Sequence, residues 1–430
     1  MSAPAESLRP RAAHPAPAAQ PRAAAPGLLP AQELARHHAF LELYGRRPRG
    51  GEQLIELIEQ SGLTGRGGAG FPTARKLRAV REGMRAPVVL ANGTEGEPAS
   101  SKDEVLMWLN PHLVIDGLLI AAETVRAKRL VIGVGRGGMA AGKIARALAD
   151  REDCAKVELV EVPERFVAGE ESALVQLVNG GEAKPTSRRS RPYESGVGGR
   201  RTLVQNVETL ANLALVARHG GAWFRGVGTE DEPGTALVTV GGVVRSPGVI
   251  EVPFGTRLGE IFERCGGLSE PAQAYLMGGY FGSWVAPDEN LRLSEASLAP
   301  VGASLGARTI VALGASSCGV EETARVVSYM AAQSAGQCGP CVFGLRALAE
   351  RFESIARCRP EAIEAFGRLQ GLHEQIARRG ACAHPDGVLR FAASAPAVFA
   401  AEFEAHLMGR CSAHSHTPTL PTPKPTEGWR

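Results

Sequence analysis

The segment Ser61–Lys76, SGLTGRGGAGFPTARK, sets Gly62, Gly65, Gly67, Gly68 and Gly70 in one loop, with Arg66 inside it and Lys76 just beyond. Glycines at that density let backbone N–H groups converge on an anion without Cβ interference, and a following helix adds its positive N-terminal end. Two acidic clusters accompany the loop: Asn92-Gly93-Thr94-Glu95-Gly96-Glu97-Pro98 and Gly169-Glu170-Glu171-Ser172. Carboxylates accept strong hydrogen bonds, so Glu95, Glu97, Glu170 and Glu171 can hold ribose hydroxyls or a carboxamide. They would repel an additional 2′-phosphate, which favours NADH over NADPH. Left to solvent, the same residues would be ordinary surface charges. Hydride transfer needs no general base, so the absence of an obvious His dyad does not exclude redox chemistry.

A second glycine motif competes for the nucleotide. Gly133-Val134-Gly135-Arg136-Gly137-Gly138 follows an apolar strand pattern and precedes a helical one, with Glu158 at the expected distance beyond. By the general dinucleotide-binding pattern it is the stronger candidate. The first loop follows a helix, yet it has Lys76 and the acidic Asn92–Glu97 loop nearby. Pattern alone leaves the choice open.

Cys338-Gly339-Pro340-Cys341 matches the dithiol of thioredoxins in letters only, because helical patterns flank it where that fold needs a strand. Cys382 follows 41 residues after Cys341 and can fold back towards it. Three cysteines from two helical segments suit an iron–sulfur cluster, which ordinarily takes four ligands. Cys154, Cys265 and Cys358 have no partner at ligand spacing and read as core or surface thiols.

These motifs must be positioned by more than one domain, since 430 residues exceed one ordinary core. An amphipathic helix, 52–60, leads into the first loop, a helix starts at Thr73, and a strand covers 87–91. The succession of helix 111–126, strand 129–134, helix 139–149 and strand 156–162 is a β-α-β alternation. Short β runs from 236 to 251 and a helix at 258–265 suggest a small mixed module, and the chain beyond Cys318 is helix-rich. A net charge of +3 without a basic stripe excludes strong nucleic-acid or membrane attraction, and the longest apolar run, near Leu118–Ala122, is far short of a membrane span. The Ala/Pro/Arg-rich residues 1–29 lack an apolar signal region and read as a disordered tail, as does 411–430 with its Pro/Thr-rich stretch. A cytoplasmic protein with thiols rather than disulfides is expected.

Taken together, GRGGAGFPT at 65–73, NGTEGEP at 92–98, GEESAL at 169–174, NVETLAN at 206–212 and AGQCGPC at 335–341 resemble the flavin- and NADH-binding F subunit of complex I. The related diaphorase subunits of soluble hydrogenases and formate dehydrogenases share the likeness, which runs from about Gly51 to Gly409. Five ordered motifs are far more specific than one.

The resemblance implies an α/β fold: a Rossmann-like FMN/NADH domain over 30–232, a β-grasp (SLBB) module over 233–316, and a helical iron–sulfur bundle over 317–410. It assigns the nucleotide to the first loop and reduces Gly133–Gly138 to a structural turn. Gly65, Arg66, Gly67, Gly68 and Lys76 would hold the FMN phosphate side. Asn92, Glu95, Asn206 and Thr209 would surround the flavin. Phe71, Glu97, Glu170 and Glu171, with Gly169, would face flavin or nicotinamide nucleotide. Cys338, Cys341 and Cys382 would ligate a [4Fe–4S] cluster. The implied activity is NADH oxidation through FMN, with electrons passed singly to an iron–sulfur protein or a larger redox complex.

Four positions depart from the family pattern. Ala335 replaces the first cluster cysteine, so either another group substitutes, with Cys318 and Cys411 as candidates, or the cluster is a labile or three-iron form, or it is absent. Thr94 stands where the family places Asp, and Ala79 where it places an aromatic, a loss of stacking of about 1 kcal/mol. Phe166 keeps the ring of the family's tyrosine without its hydroxyl. Two other functions remain open from sequence. One is a non-catalytic scaffold paralogue; the other is a flavin-free NAD-dependent dehydrogenase using Gly133–Gly138.

Overall fold

The computed structural model describes residues 26–187, 190–424 and 428–430. Four short apolar runs become the parallel strands β1 (Val88–Gly93), β2 (Arg129–Gly135), β3 (Val157–Val162) and β4 (Thr202–Asn206). They pair in the order β3-β2-β1-β4. Val88, Val89, Leu90 and Ala91 are all buried, as a central strand covered on both faces requires. After β1 the chain builds outward through β2 and β3, then returns to place β4 on the other side of β1. The strand order therefore reverses between β1 and β4, and a crevice opens at their carboxyl ends. Asn92 and Asn206 are register partners there.

The helix Pro111–Val125 begins on a proline and stops at Arg126, whose φ of 60° ends the α conformation. It crosses the helix Val207–His219 very closely: a Cβ on Gly117 would stand 2.0 Å from the Leu210 carbonyl oxygen. Glycine is required at that crossing. No single helix among the described residues is long and apolar enough to cross a membrane.

The strands β5 (Thr235–Gly242), β6 (Gly248–Pro253), β7 (Ala272–Met277), β8 (Ser283–Val285) and β9 (Thr309–Gly314) form a mixed sheet ordered β6-β5-β9-β7-β8. The helix Leu258–Arg264 buries Leu258, Ile261 and Phe262 in the core of this β-grasp module. Beyond it, Gly319–Ala332, Leu345–Ala356, His384–Val398, Ala400–Leu407 and shorter helices share a core that includes Val327, Met330, Phe352, Phe391 and Phe403. A π-helical turn, Pro340–Gly344, carries Cys341.

The chain ends differ from expectation. Residues 1–25 of the predicted N-terminal tail lie outside the described residues, but Leu28 is fully buried and its N–H donates to Glu251 at 2.8 Å. The described part of 411–430, predicted as a disordered tail, packs on the protein instead. Leu420 is buried, the N–H groups of Thr419 and Leu420 donate to Glu322 at 3.0 Å, and the Pro421 carbonyl accepts from Tyr280 Oη. These anchors use backbone groups, which every composition presents, so a Pro/Thr-rich segment gives no sign of them.

A buried charge network joins the two sheets. Lys102 Nζ lies 2.7 Å from Asp103 Oδ1 and 2.9 Å from Glu208 Oε2, with none of the three side chains more than 6% exposed. The other Glu208 oxygen accepts from the Leu237 N–H of β5 at 2.9 Å. Removing the cation leaves two buried carboxylates without a counter-charge. Lys102→Met is expected to lose about 3–5 kcal/mol of stability, read as a lower urea midpoint; an unchanged midpoint would show that the network carries no stability.

Candidate functional site

The glycine loop lies over the crevice between β1 and β4. The Gly65 N–H donates to the Phe71 carbonyl at 2.9 Å, and the Arg66 N–H donates to Thr209 Oγ1 at 2.7 Å. A Cβ on Gly67 would stand 3.3 Å from that of Asn206, while Gly68 and Gly70 have φ of 108° and 60°. The loop is thus a side-chain-free cradle against Asn206. Arg308, just before β9, donates to the carbonyls of Arg66 and Gly65 and holds the cradle from the β-grasp side.

Arg66 corrects its expected role. Its guanidinium is buried beneath the loop, 4.5 Å from the Phe254 ring centroid, and donates to the Pro233 carbonyl at 3.2 Å. Burial first, and then Arg308, push its pKa down to about 9. Only the Arg66 backbone faces the cradle. Lys76, in the first turn of Thr73–Arg81, binds the Glu171 carboxylate and donates to the Val204 carbonyl at 3.0 Å.

Asn92 ties the acidic loops together: its Nδ2 donates to the Gly169 carbonyl at 2.8 Å, and its Oδ1 accepts from the Thr94 N–H at 3.1 Å. Thr94, in the family's Asp position, therefore stays in this hydrogen-bond set. Glu95 accepts from the Asp103 and Glu104 N–H groups at 3.2 Å each, at the start of Lys102–Leu109. Glu170 caps Glu171–Val178 through the Ser172 and Ala173 N–H groups at 2.9 and 3.2 Å. Glu97 accepts from the Tyr280 and Ala99 N–H groups at 2.6 and 3.2 Å. Three of the four carboxylates expected at a nucleotide thus also terminate backbone amides. Burial pushes Glu95 up, with Asp103 adding to it, and burial raises Glu97 to about 7.

A cavity of about 280 Å³ opens beside these loops, bounded by Gly96, Glu97, Phe166, Tyr329, Gln333 and Lys424. Gly135 and Gly138 also border it. The second glycine motif lies at the end of β2, one strand from the reversal, and supplies wall rather than the crevice itself. Gln333 Oε1 accepts from the Phe166 N–H at 3.1 Å, which locks the helical bundle against this wall. On the outer side, Phe71, 38% exposed, stacks on Tyr193 with centroids 6.4 Å apart, and Ala79 shares their groove. Sequence reading missed Tyr193, Arg308, Lys102, Asp103 and Glu208. Tyr193 sits in an Arg/Ser-rich stretch without periodicity, and Lys102, Asp103 and Arg308 stand outside the motifs.

Cys341 in the π-turn has as neighbours Cys338, two residues before that turn, and Cys382, in the segment before His384–Val398. Burial, and then the neighbouring Cys338 and Cys382, push the Cys341 thiol up to about 12. Three thiols are three of the four ligands a cubane ordinarily takes, and Ala335 offers nothing for the fourth. Cys318 and Cys411, the candidates for that corner, group instead with His406. Cys358, expected to lack a partner, has its Sγ 3.5 Å from His406 Nδ1. His384, two residues past Cys382, packs 5.7 Å from both Phe166 and Phe281, so the cysteine region and the cavity share a wall.

The side-chain-free cradle, the Asn92–Asn206 pair and Lys76 fit a phosphate-bearing flavin. Residues 58–215 match the Nuo51 FMN-binding domain, 237–279 the SLBB domain, and 321–406 the NADH-ubiquinone oxidoreductase-F iron–sulfur binding region. The chain is 31% identical over 384 residues to an F subunit of the NADH-quinone oxidoreductase of Rhizobium meliloti, covering 84% of this chain and 91% of that one. The chain belongs to the family of NADH-quinone oxidoreductase F subunits. Within the family, the Escherichia coli F subunit is 30% identical over 379 residues, covering 82% of this chain and 84% of its own. The likeness extends to a solved NAD+-reducing [NiFe]-hydrogenase in its H2-reduced state: TM-score 0.77, 26% identity, 87% of this chain and 67% of that one. As a family member the chain is an NADH dehydrogenase subunit with FMN-binding and iron–sulfur regions.

The raised Glu97 predicts a pH effect. Between the ordinary carboxylate value and about 7 the native state keeps a proton that the unfolded chain has released. Stability from this group is therefore full at acid pH and lost as pH rises towards 7. Glu97→Gln is expected to match the parent's urea midpoint at about pH 4 and exceed it at about pH 8. Equal midpoints at both would show that Glu97 titrates normally.

Proposed function

We propose that this chain binds FMN through the backbone of Gly65, Gly67 and Gly68 with Lys76, Asn92, Asn206 and Thr209, and receives NADH beside Phe71, Glu97, Glu170 and Glu171. The observation that carries this reading is the position of the glycine cradle at the strand-order reversal, directly over Asn206. When bound, FMN supplies hydride acceptance from NADH and release of electrons one at a time. The chain's own residues bind and orient. The cradle and Lys76 hold negative charge, with Glu171 keeping Lys76 in place. Phe71 and Tyr193 offer a stacking surface that offsets the ring lost at Ala79. The acidic loops disfavour a 2′-phosphate, and Tyr329 and Gln333 of the bundle keep water out of the cavity.

Electrons would leave on the side where Phe166 meets His384, towards Cys338, Cys341 and Cys382. The acceptor would be an iron–sulfur protein within a larger redox complex in the cytoplasm, as the relatives' standing as subunits of quinone oxidoreductases suggests. With Ala335 at one corner, FMN and the cluster make separate contributions.

Gly67→Asp adds bulk and charge at the cradle and is expected to lower FMN per purified chain at least about tenfold. Gly135→Ala, whose added methyl meets nothing within 4 Å, should keep it. Flavin retained by the first variant and lost by the second would move the site to the other glycine motif. Cys341→Ala should remove iron measured per chain and leave NADH-to-dye activity largely intact; loss of dye reduction in a flavin-replete variant would contradict that separation.

A further inference from the structure

One group of side chains takes no part in the chemistry above. Cys318 lies at the N-cap of Gly319–Ala332, His406 in the last turn of Ala400–Leu407, and Cys411 shortly beyond. Each brings a ligand atom within 4.8 Å of the other two. Cys318 Sγ is 3.3 Å from His406 Nε2. A tetrahedral ion bonded at about 2.3 Å to sulfur and about 2.0–2.1 Å to nitrogen holds such donors about 3.5 Å apart. The other ring nitrogen, Nδ1, lies 3.1 Å from the Ile355 carbonyl, which fixes the proton there and leaves Nε2 free to ligate. Cys358 sits on this Nδ1 side, away from the ligating nitrogen.

We infer that Cys318, His406 and Cys411 bind a zinc ion. Two thiolates and an imidazole are a zinc donor set, and donors this close surround one ion rather than the spread irons of a cubane. Glu321 and His416 form a second close group with the same Cys411 sulfur, so a carboxylate is at hand for the fourth position. The site is separate from Cys338, Cys341 and Cys382. It also has a structural consequence. Cys411 begins the segment that runs past Glu322 and Tyr280 to Lys424 at the cavity, so the ion would fasten that segment to the bundle.

The test measures zinc, iron and FMN together on the full-length chain purified from zinc-containing medium. About one zinc per chain is expected. Cys318→Ser, His406→Ala and Cys411→Ser should each lower zinc roughly tenfold or more, with FMN content and NADH-to-dye activity retained. Cys338→Ser should lower iron and keep zinc, and Cys358→Ser should keep both. Cobalt added to the chelator-stripped parent should give the thiolate charge-transfer and visible bands of tetrahedral cobalt, a readout that does not depend on any variant folding. Failure of the parent to take up zinc or cobalt would overturn the assignment, as would zinc that follows Cys338→Ser instead of Cys411→Ser. Because FMN is counted separately, failure here and failure of the flavin assignment are distinguishable.

Discussion

The buried contact of Lys102 with Asp103 and Glu208 is the constraint on which the rest of the structure depends. It sits where the helix after the acidic loop, the helix after β4 and the first strand of the β-grasp sheet converge. Charges removed from water must find partners, and here those partners come from segments more than a hundred residues apart. Asp103 also accepts from Asn206 Nδ2 at 2.6 Å, so the network orients the asparagine under the glycine cradle. Arg308 completes the link by gripping the cradle's carbonyls from the β-grasp side. The cradle is therefore rigid because two domains meet beneath it, although its own sequence is mostly glycine.

The acidic residues show how one side chain can serve fold and site together. Glu95 and Glu170 stop helix N-termini, and Glu97 reaches a β-grasp amide at Tyr280. A helix N-terminus needs an acceptor whether or not a nucleotide is bound. Placing carboxylates there fixes the loops that frame the cavity. The cost is desolvation, visible in the raised Glu97.

The cysteines separate by donor geometry. Cys341 has Cys338 and Cys382 for neighbours, whereas Cys318 and Cys411 meet an imidazole elsewhere. The substitution at Ala335 is thus not compensated by the thiols nearest in sequence pattern.

The sequence by itself determined the elements and the family. Apolar runs of strand length, the glycine loop, the GEE and NVETLAN motifs and the CGPC pair are local patterns, and local patterns survive in one dimension. The resemblance assigned the nucleotide to the first glycine motif, whereas the order of strands was invisible in one dimension: β4 returns beside β1, and that places the reversal at Asn92 and Asn206. Likewise Arg66 read as an anion-binding cation until burial against Phe254 gave its side chain a packing role. No local pattern singled out Lys102 or Arg308, Glu208 stood inside NVETLAN without a role of its own, and the C-terminal segment looked like a tail. Each of these depends on which distant groups become neighbours, and side-chain type says nothing about that until the core has closed around it.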